Sequence, residues 1–238
     1  MTFRPLPILT VATVIALAIL IGLGSWQLQR RAEKHEQLDQ IAARSTAAPA
    51  PVEVLFATGD YAAYRHATAD GTFEHTKESY VYAPRSDDGP TRVGFKVITP
   101  FNLVSGGTIL VDRGWVPEDK KDPATREAGQ FKGEVEVTGT LRPPPTPSTF
   151  TPPPDLATRT FYLRDSAAIA SAVGVTLSRP LILEATSAID GGPEPRATDI
   201  NIPDNHLNYA LTWFSLAVVL LVIYLRFHQV RGRLRFGK

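Results

Sequence analysis

Two apolar stretches without a single charge constrain this chain more than anything else in it. Ile8 to Leu28 is 21 residues long, and Leu207 to Leu225 is 19. A hydrocarbon core of ~30 Å takes ~20 helical residues, so each stretch is long enough to cross a bilayer. The first exceeds the apolar region of a cleaved signal peptide, and no small-x-small cleavage site precedes Trp26. The second is less apolar at its start, where Asn208, Tyr209, Thr212 and Trp213 suit interfacial depth. With one such stretch near each end of 238 residues, both are read as transmembrane spans rather than core helices.

Basic residues orient the spans. Arg226, Arg231, Arg233, Arg235 and Lys238 follow the second without an acid, which places that tail in the cytoplasm. Arg30, Arg31 and Lys34 pull against Arg4 at the first, but long loops translocate largely regardless of their charge. The expected organisation is a cytoplasmic amino terminus (1–7), a first span (8–28), a membrane-proximal helix and linker (29–51), a β-rich extracytoplasmic domain (52–202), a second span (203–225) and a basic cytoplasmic tail (226–238).

Inside the middle domain the hydropathy pattern alternates with period two from about Tyr64. Strands are expected over 65–73 (entering a turn at Asp70-Gly71), 79–83, 94–101, 108–116, 133–141, 160–163 and 181–185. Val104-Ser105-Gly106-Gly107 suits a hairpin connection. A short helix capped by Asp165 or Ser166 runs through Val173 and stops at Gly174. Pro143 to Pro154 carries seven prolines in twelve residues, which reads as a polyproline surface spacer. Gly191 to Pro195 is expected to loosen the chain before the second span. The fold class is membrane α + β: two transmembrane helices flanking a mainly antiparallel β domain, a small barrel-like or sandwich sheet.

Several function classes drop out. The chain has no cysteine, which excludes disulfides, thiolate zinc sites, iron–sulfur clusters and c-type haem attachment. Its only methionine is Met1, so a copper chaperone lacks its usual soft ligands. A net charge of +1 makes no case for nucleic acid. No Gly-x-Ser-x-Gly elbow, phosphate-binding glycine loop or His-Glu-x-x-His is present, so nothing indicates an enzyme. Asp112-Arg113-Gly114-Trp115, at a strand end, reads as an ion pair beside a core tryptophan. His35 and His228 lie in polar flanks, His66 in a strand, and His75 in a charged turn read as solvated surface.

The polar groups that invite chemistry sit where the domain meets the membrane. In Asn201-Ile202-Pro203-Asp204-Asn205-His206, Pro203 suits a first helical turn. His206, Tyr209, Ala210 and Trp213 then recur at i, i+3, i+4 and i+7, one stripe of a helix. Trp26, Gln27 and Arg30 end the first span in the same interfacial layer. An aromatic belt with a snorkelling arginine accounts for most of these residues, but an anchor does not need the imidazole of His206. Neutral imidazole ligates metals and haem iron. An apolar trough between two helices, with a histidine at its mouth and aromatic walls, suits an amphipathic tetrapyrrole.

Three segments together resemble one family. Gly24-Ser25-Trp26-Gln27-Leu28-Gln29-Arg30, with Lys34, is similar to the first-span signature of the surfeit locus protein 1 family. Val111-Asp112-Arg113-Gly114-Trp115-Val116-Pro117 resembles its mid-domain motif, and the run from Pro203 to Phe214 its second-span signature. The resemblance implies a non-catalytic assembly factor for haem-copper cytochrome c oxidase that helps deliver haem a to the catalytic subunit. It implies His206 as a ligand of the haem iron, with Trp26 beside it. On that basis Tyr209 and Trp213 are expected to pack around the macrocycle and Arg30 to pair with a propionate. The expected partners are the oxidase catalytic subunit, haem a synthase and the lipid bilayer, with no nucleic acid. The compact length, without a transit peptide before the first span, favours a bacterial cytoplasmic membrane. The alternative is a scaffold that stabilises an oxidase intermediate and never touches haem. The proline-rich stretch has no counterpart in the family pattern.

Overall fold

The computed structural model describes residues 2–86, 90–195 and 204–235. In chain order its elements are β1 (Thr2–Phe3), α1 (Pro7–Ser45), β2 (Ala50–Pro51), α2 (Val52–Ala57), β3 (His66–Phe73), β4 (Ser79–Tyr82) and β5 (Gly94–Leu103). They continue as β6 (Thr108–Pro117), β7 (Val135–Arg142), β8 (Thr160–Phe161), α3 (Ser166–Val173), β9 (Ile182–Ala185), α4 (His206–Val230) and β10 (Leu234–Arg235). Contacts divide the chain into two units, Met1–Gln40 with Ile200–Lys238, and Ile41–Asp199.

The first unit is a pair of long apolar helices, each long enough to cross a membrane. No proline interrupts α1 after its first residue, so the first span runs unbroken into its polar extension. The helices are antiparallel, as contacts along their length show. Leu6 N–H meets His228 Nε2 at 3.3 Å, and the Thr10 and Tyr224 hydroxyls meet at 2.7 Å. Farther on, a Cβ built on Gly24 would fall 2.6 Å from the Phe214 ring, so the glycine lets that ring lie against the α1 backbone. The segments before α1 and after α4 therefore meet at the same end of the pair, where β1 and β10 form a two-stranded antiparallel ribbon. His228, expected in a polar flank, is instead fully buried among Phe3, Tyr224 and Phe227. Its Nδ1 donates to the Tyr224 carbonyl at 2.9 Å, which leaves Nε2 to accept the Leu6 amide. The position proposed for Pro203 lies outside the described residues.

The second unit is a closed barrel. Strands β3, β7, β9, β6 and β5 pair in that order, and β3 pairs again with β5 to complete the ring. Most pairings are antiparallel; β6 with β9, β4 with β8 and β2 with β3 are parallel. Closure explains why β3 does not turn at Asp70-Gly71. Gly71 pairs with Val135 of β7 and with Leu103 of β5, and a Cβ there would lie 2.1 Å from the Asn102 carbonyl oxygen. The two residues read as a turn signal mark the strand's passage between partners, where the backbones approach too closely for a side chain.

Alternation sets the layers. Ala67, Ala69, Phe101, Ile109, Val111, Val137, Leu141, Leu183 and Ala185 fill the interior, and α2 adds Val52 and Leu55 to it. Outside, Leu110, Ile98 and Ile182 are covered by Ile169 of α3. The carboxylate of Asp165 caps α3 by accepting from the amides of Ala167 and Ala168, and Gly174 ends the helix at φ +65°. Pro143 to Pro154 contains neither helix nor strand. Gly191 to Pro195 is not loose: Trp115 and Glu194 exchange both backbone hydrogen bonds, at 2.7 and 2.9 Å.

Candidate functional site

In the helix-pair unit, the start of α4 meets one face of α1. Gln27, Arg31 and His35 lie four residues apart, hence on a single helical stripe. The Nδ1 of His206 lies 2.8 Å from Gln27 Oε1. Asp204, just before α4, receives the His206 amide on Oδ1 at 3.0 Å, while His35 Nε2 lies 2.9 Å from Oδ2. Arg31 Nε is 3.6 Å from the same Oδ2. The carboxylate thus caps the new helix and ties it to α1. Among the described residues, His206 Nε2 has no hydrogen-bond partner.

The other expected site residues distribute unevenly around this cluster. Trp26 and Tyr209 are 50% and 56% exposed on the surface of the helix pair, whereas Trp213 is half-buried. No ring contact joins the three among the described residues. The stripe inferred for α4 divides: Ala210 is buried at the helix contact and Tyr209 points away from it. Arg30 is exposed and pairs with Glu33 at 2.8 Å, whereas its neighbour Arg31 reaches Asp204. Sequence reasoning did not pick out Arg31, His35 or Gln27 as partners of α4, although their four-residue spacing was a usable signal.

The β unit holds two buried ionic clusters. In the first, Glu78 is 3% exposed and receives Arg113 Nη1 at 2.9 Å, Arg126 Nη2 at 2.6 Å and Gln130 Nε2 at 3.1 Å. Burial alone pushes the Glu78 carboxyl up. The neighbouring His75 imidazole, the hydrogen bond and charge of Arg126 and the charge of Arg113 outweigh it, holding the group at about 2 against an ordinary 4.5. Burial and then the adjacent Glu78 charge push the Tyr80 phenol up to about 12. His75 belongs to this cluster rather than to solvated surface: its Nε2 meets the Phe131 carbonyl at 2.8 Å and its Nδ1 meets Arg113 at 3.2 Å. A cleft of about 480 Å³ opens beside it, lined by His75, Glu78, Tyr80, Gln130 and Arg159 among others. In the second cluster, Asp112 and Glu184 share Lys96, at 3.0 and 2.8 Å, and Arg164, while Arg142 binds Glu184 at 2.9 Å.

Asp112-Arg113-Gly114-Trp115 lies inside β6, not at a strand end. Lys96 of β5 opposes Trp115 and Ile98 opposes Asp112, so Arg113 and Gly114 together face the single residue Val97 in a β-bulge. Asp112 Oδ1 accepts the Gly114 amide at 3.1 Å, and Gly114 sits at φ +115°, a left-handed conformation. Asp112 and Arg113 do not pair with each other; they enter the two clusters separately.

A family model described as the SURF1 family matches residues 14–218. Surfeit locus protein 1 of Takifugu rubripes is 34% identical over 215 residues, 84% of this chain and 88% of that protein. The human protein of the same name is 34% identical over 212 residues, covering 82% and 69%. A SURF1-like protein of Monosiga brevicollis is 32% identical over 232 residues, covering 92% and 87%. These relatives are eukaryotic and lend no support to a bacterial origin.

Proposed function

The chain belongs to the SURF1 family, and we propose that it is a membrane-bound assembly factor for cytochrome c oxidase that carries haem a to the catalytic subunit. In this reading haem a is cargo, held by the iron through His206. In the same reading the β domain is extracytoplasmic and both termini are cytoplasmic. Haem a synthase supplies the cargo, and the oxidase catalytic subunit receives it. The protein performs no catalysis of its own.

The observation that carries the reading is the state of His206. Its Nδ1 is engaged by Gln27 at 2.8 Å, while Nε2 has no partner among the described residues. A purely anchoring residue has no use for a half-engaged imidazole at an interface. The exposed rings of Trp26 and Tyr209 offer apolar surface to a macrocycle from the same end of the helix pair. Arg31 reaches Asp204, just before α4, at 3.6 Å; Arg30, held by Glu33, is the more remote choice for a propionate. One axial protein ligand suits a cargo that must later leave.

The test is the visible spectrum of wild type and His206→Ala purified from membranes of a cell that makes haem a. The carrier reading expects a Soret band in wild type that is shifted or lost in the variant. No band in either, with folded protein and haem a available, favours the scaffold that stabilises an oxidase intermediate without binding haem.

A further inference from the structure

We propose that Gln27 is a positioning residue for His206, whose side-chain carbonyl holds the imidazole with its proton on Nδ1 and so dedicates Nε2 to a metal. Its use rests on the haem reading above, but its geometry does not. An amide oxygen only accepts hydrogen bonds, so at 2.8 Å from Gln27 Oε1 the Nδ1 of His206 must be the protonated nitrogen. The lone pair available for ligation is therefore the one on Nε2. The ring has little freedom to exchange these roles. Its backbone amide is fixed on Asp204 Oδ1 at 3.0 Å, and Asp204 Oδ2 is fixed in turn by His35 and Arg31 of α1. Gln27 lies one and two helical turns before Arg31 and His35 on the same stripe, so a single face of α1 sets both the start of α4 and the orientation of its first side chain.

Ligating histidines almost always donate their other ring N–H to a carboxylate or carbonyl, which fixes the tautomer and makes the ligating nitrogen more basic. A carboxylate does both strongly. A neutral amide gives the orientation with less added basicity, hence a weaker iron–nitrogen bond, as a transient carrier requires.

The full chain, labelled with ¹⁵N-histidine and held haem-free in lipid nanodiscs, tests the tautomer directly by NMR. His206→Ala identifies the His206 signals. At alkaline pH the wild type is expected to show protonated Nδ1 and bare Nε2, and Gln27→Leu to shift the proton toward Nε2. Haem a titration then reads the consequence. Gln27→Leu should bind ~10- to 100-fold more weakly, the usual loss when such an outer partner is removed. Gln27→Glu should bind at least as tightly as wild type, with a more negative haem reduction potential. A merely structural role for Gln27 would leave the potential unmoved and would not be rescued by glutamate. Finding the proton on Nε2 in the haem-free wild type overturns the proposal, as does equal affinity and potential in all three proteins. If wild type takes up no haem, the carrier reading fails while the NMR arm still decides the tautomer. If Gln27→Leu does not fold, the wild-type spectrum and the Gln27→Glu potential decide it.

Discussion

Substituting Glu78 by glutamine keeps the volume of the side chain and removes its charge, leaving Arg113 and Arg126 buried without their shared counter-charge. Two routes give the magnitude. The fall of the carboxyl from 4.5 to about 2 corresponds to about 3 kcal/mol of folding stability, at ~1.4 kcal/mol per pH unit. Removing one partner of a buried ion pair typically costs ~3–5 kcal/mol. For a domain of this size each kcal/mol moves the melting temperature by ~2–4 °C, so the variant should melt roughly 6–12 °C lower at neutral pH. The sign with pH follows from a folded-state value below the unfolded one. The contribution is complete above 4.5 and disappears as pH falls through about 2, so the wild-type and variant curves should converge over that window. Thermal melts of the full chain in nanodiscs, followed by near-ultraviolet circular dichroism from pH 7 downward, measure both. A gap below ~2 °C at pH 7, or one that stays constant down to pH 2, would refute the reasoning.

Gly114→Ala should cost about 3 kcal/mol or more, because φ +115° is a strained conformation for alanine and its Cβ would fall 2.1 Å from the Glu194 carbonyl oxygen. Hydrogen exchange should show lost protection at the Glu194 amide, which bonds to the Trp115 carbonyl at 2.9 Å. Asp165→Ala removes the cap of the amides of Ala167 and Ala168 and should cost about 1 kcal/mol. Asp165→Asn should recover most of that loss in the same melt, since the amide oxygen can still cap.

Length and periodicity were enough to locate the long helices and most strands, because those signals are repeated over many residues. The apolar runs in α1 and α4, the alternation of Val135 and Val137, and the Asp165–Gly174 bracket around α3 are all local. Closure of the barrel is not local. Nothing around Asp70-Gly71 distinguishes a turn from a strand changing partners, since the deciding group is the Asn102 carbonyl of another strand. The short helix α2 was missed because its two buried residues, Val52 and Leu55, are too few to establish a period. At the site, His206 stood out as an imidazole without a structural need. Gln27 was placed in the same layer but not as its partner, because which face of α1 turns to α4 depends on helix packing such as Gly24 against Phe214. The half-burial of His75 and the full burial of His228 were hidden for a similar reason: Phe131 and Leu6, which meet them, come from distant segments.

The mid-domain motif shows why a charged, glycine-containing run inside a strand need not be a reaction centre. Each of its four residues meets a need created by one extra residue in β6. The bulge takes the Gly114 amide out of register with Val97, and the Asp112 carboxylate accepts it. The same carboxylate, being buried, needs cations, and Lys96 and Arg164 supply them. Arg113 is aimed at Glu78, which also gathers Arg126. Gly114 makes room for the Glu194 backbone, and Trp115 then exchanges two hydrogen bonds with Glu194 while its indole donates to the Ala83 carbonyl at 2.8 Å. Asp112 and Arg113 are thus consumed by structure, with every charge facing an opposite one. Side chains so engaged serve the fold, and the proposal for the protein's chemistry rests instead on the half-engaged His206.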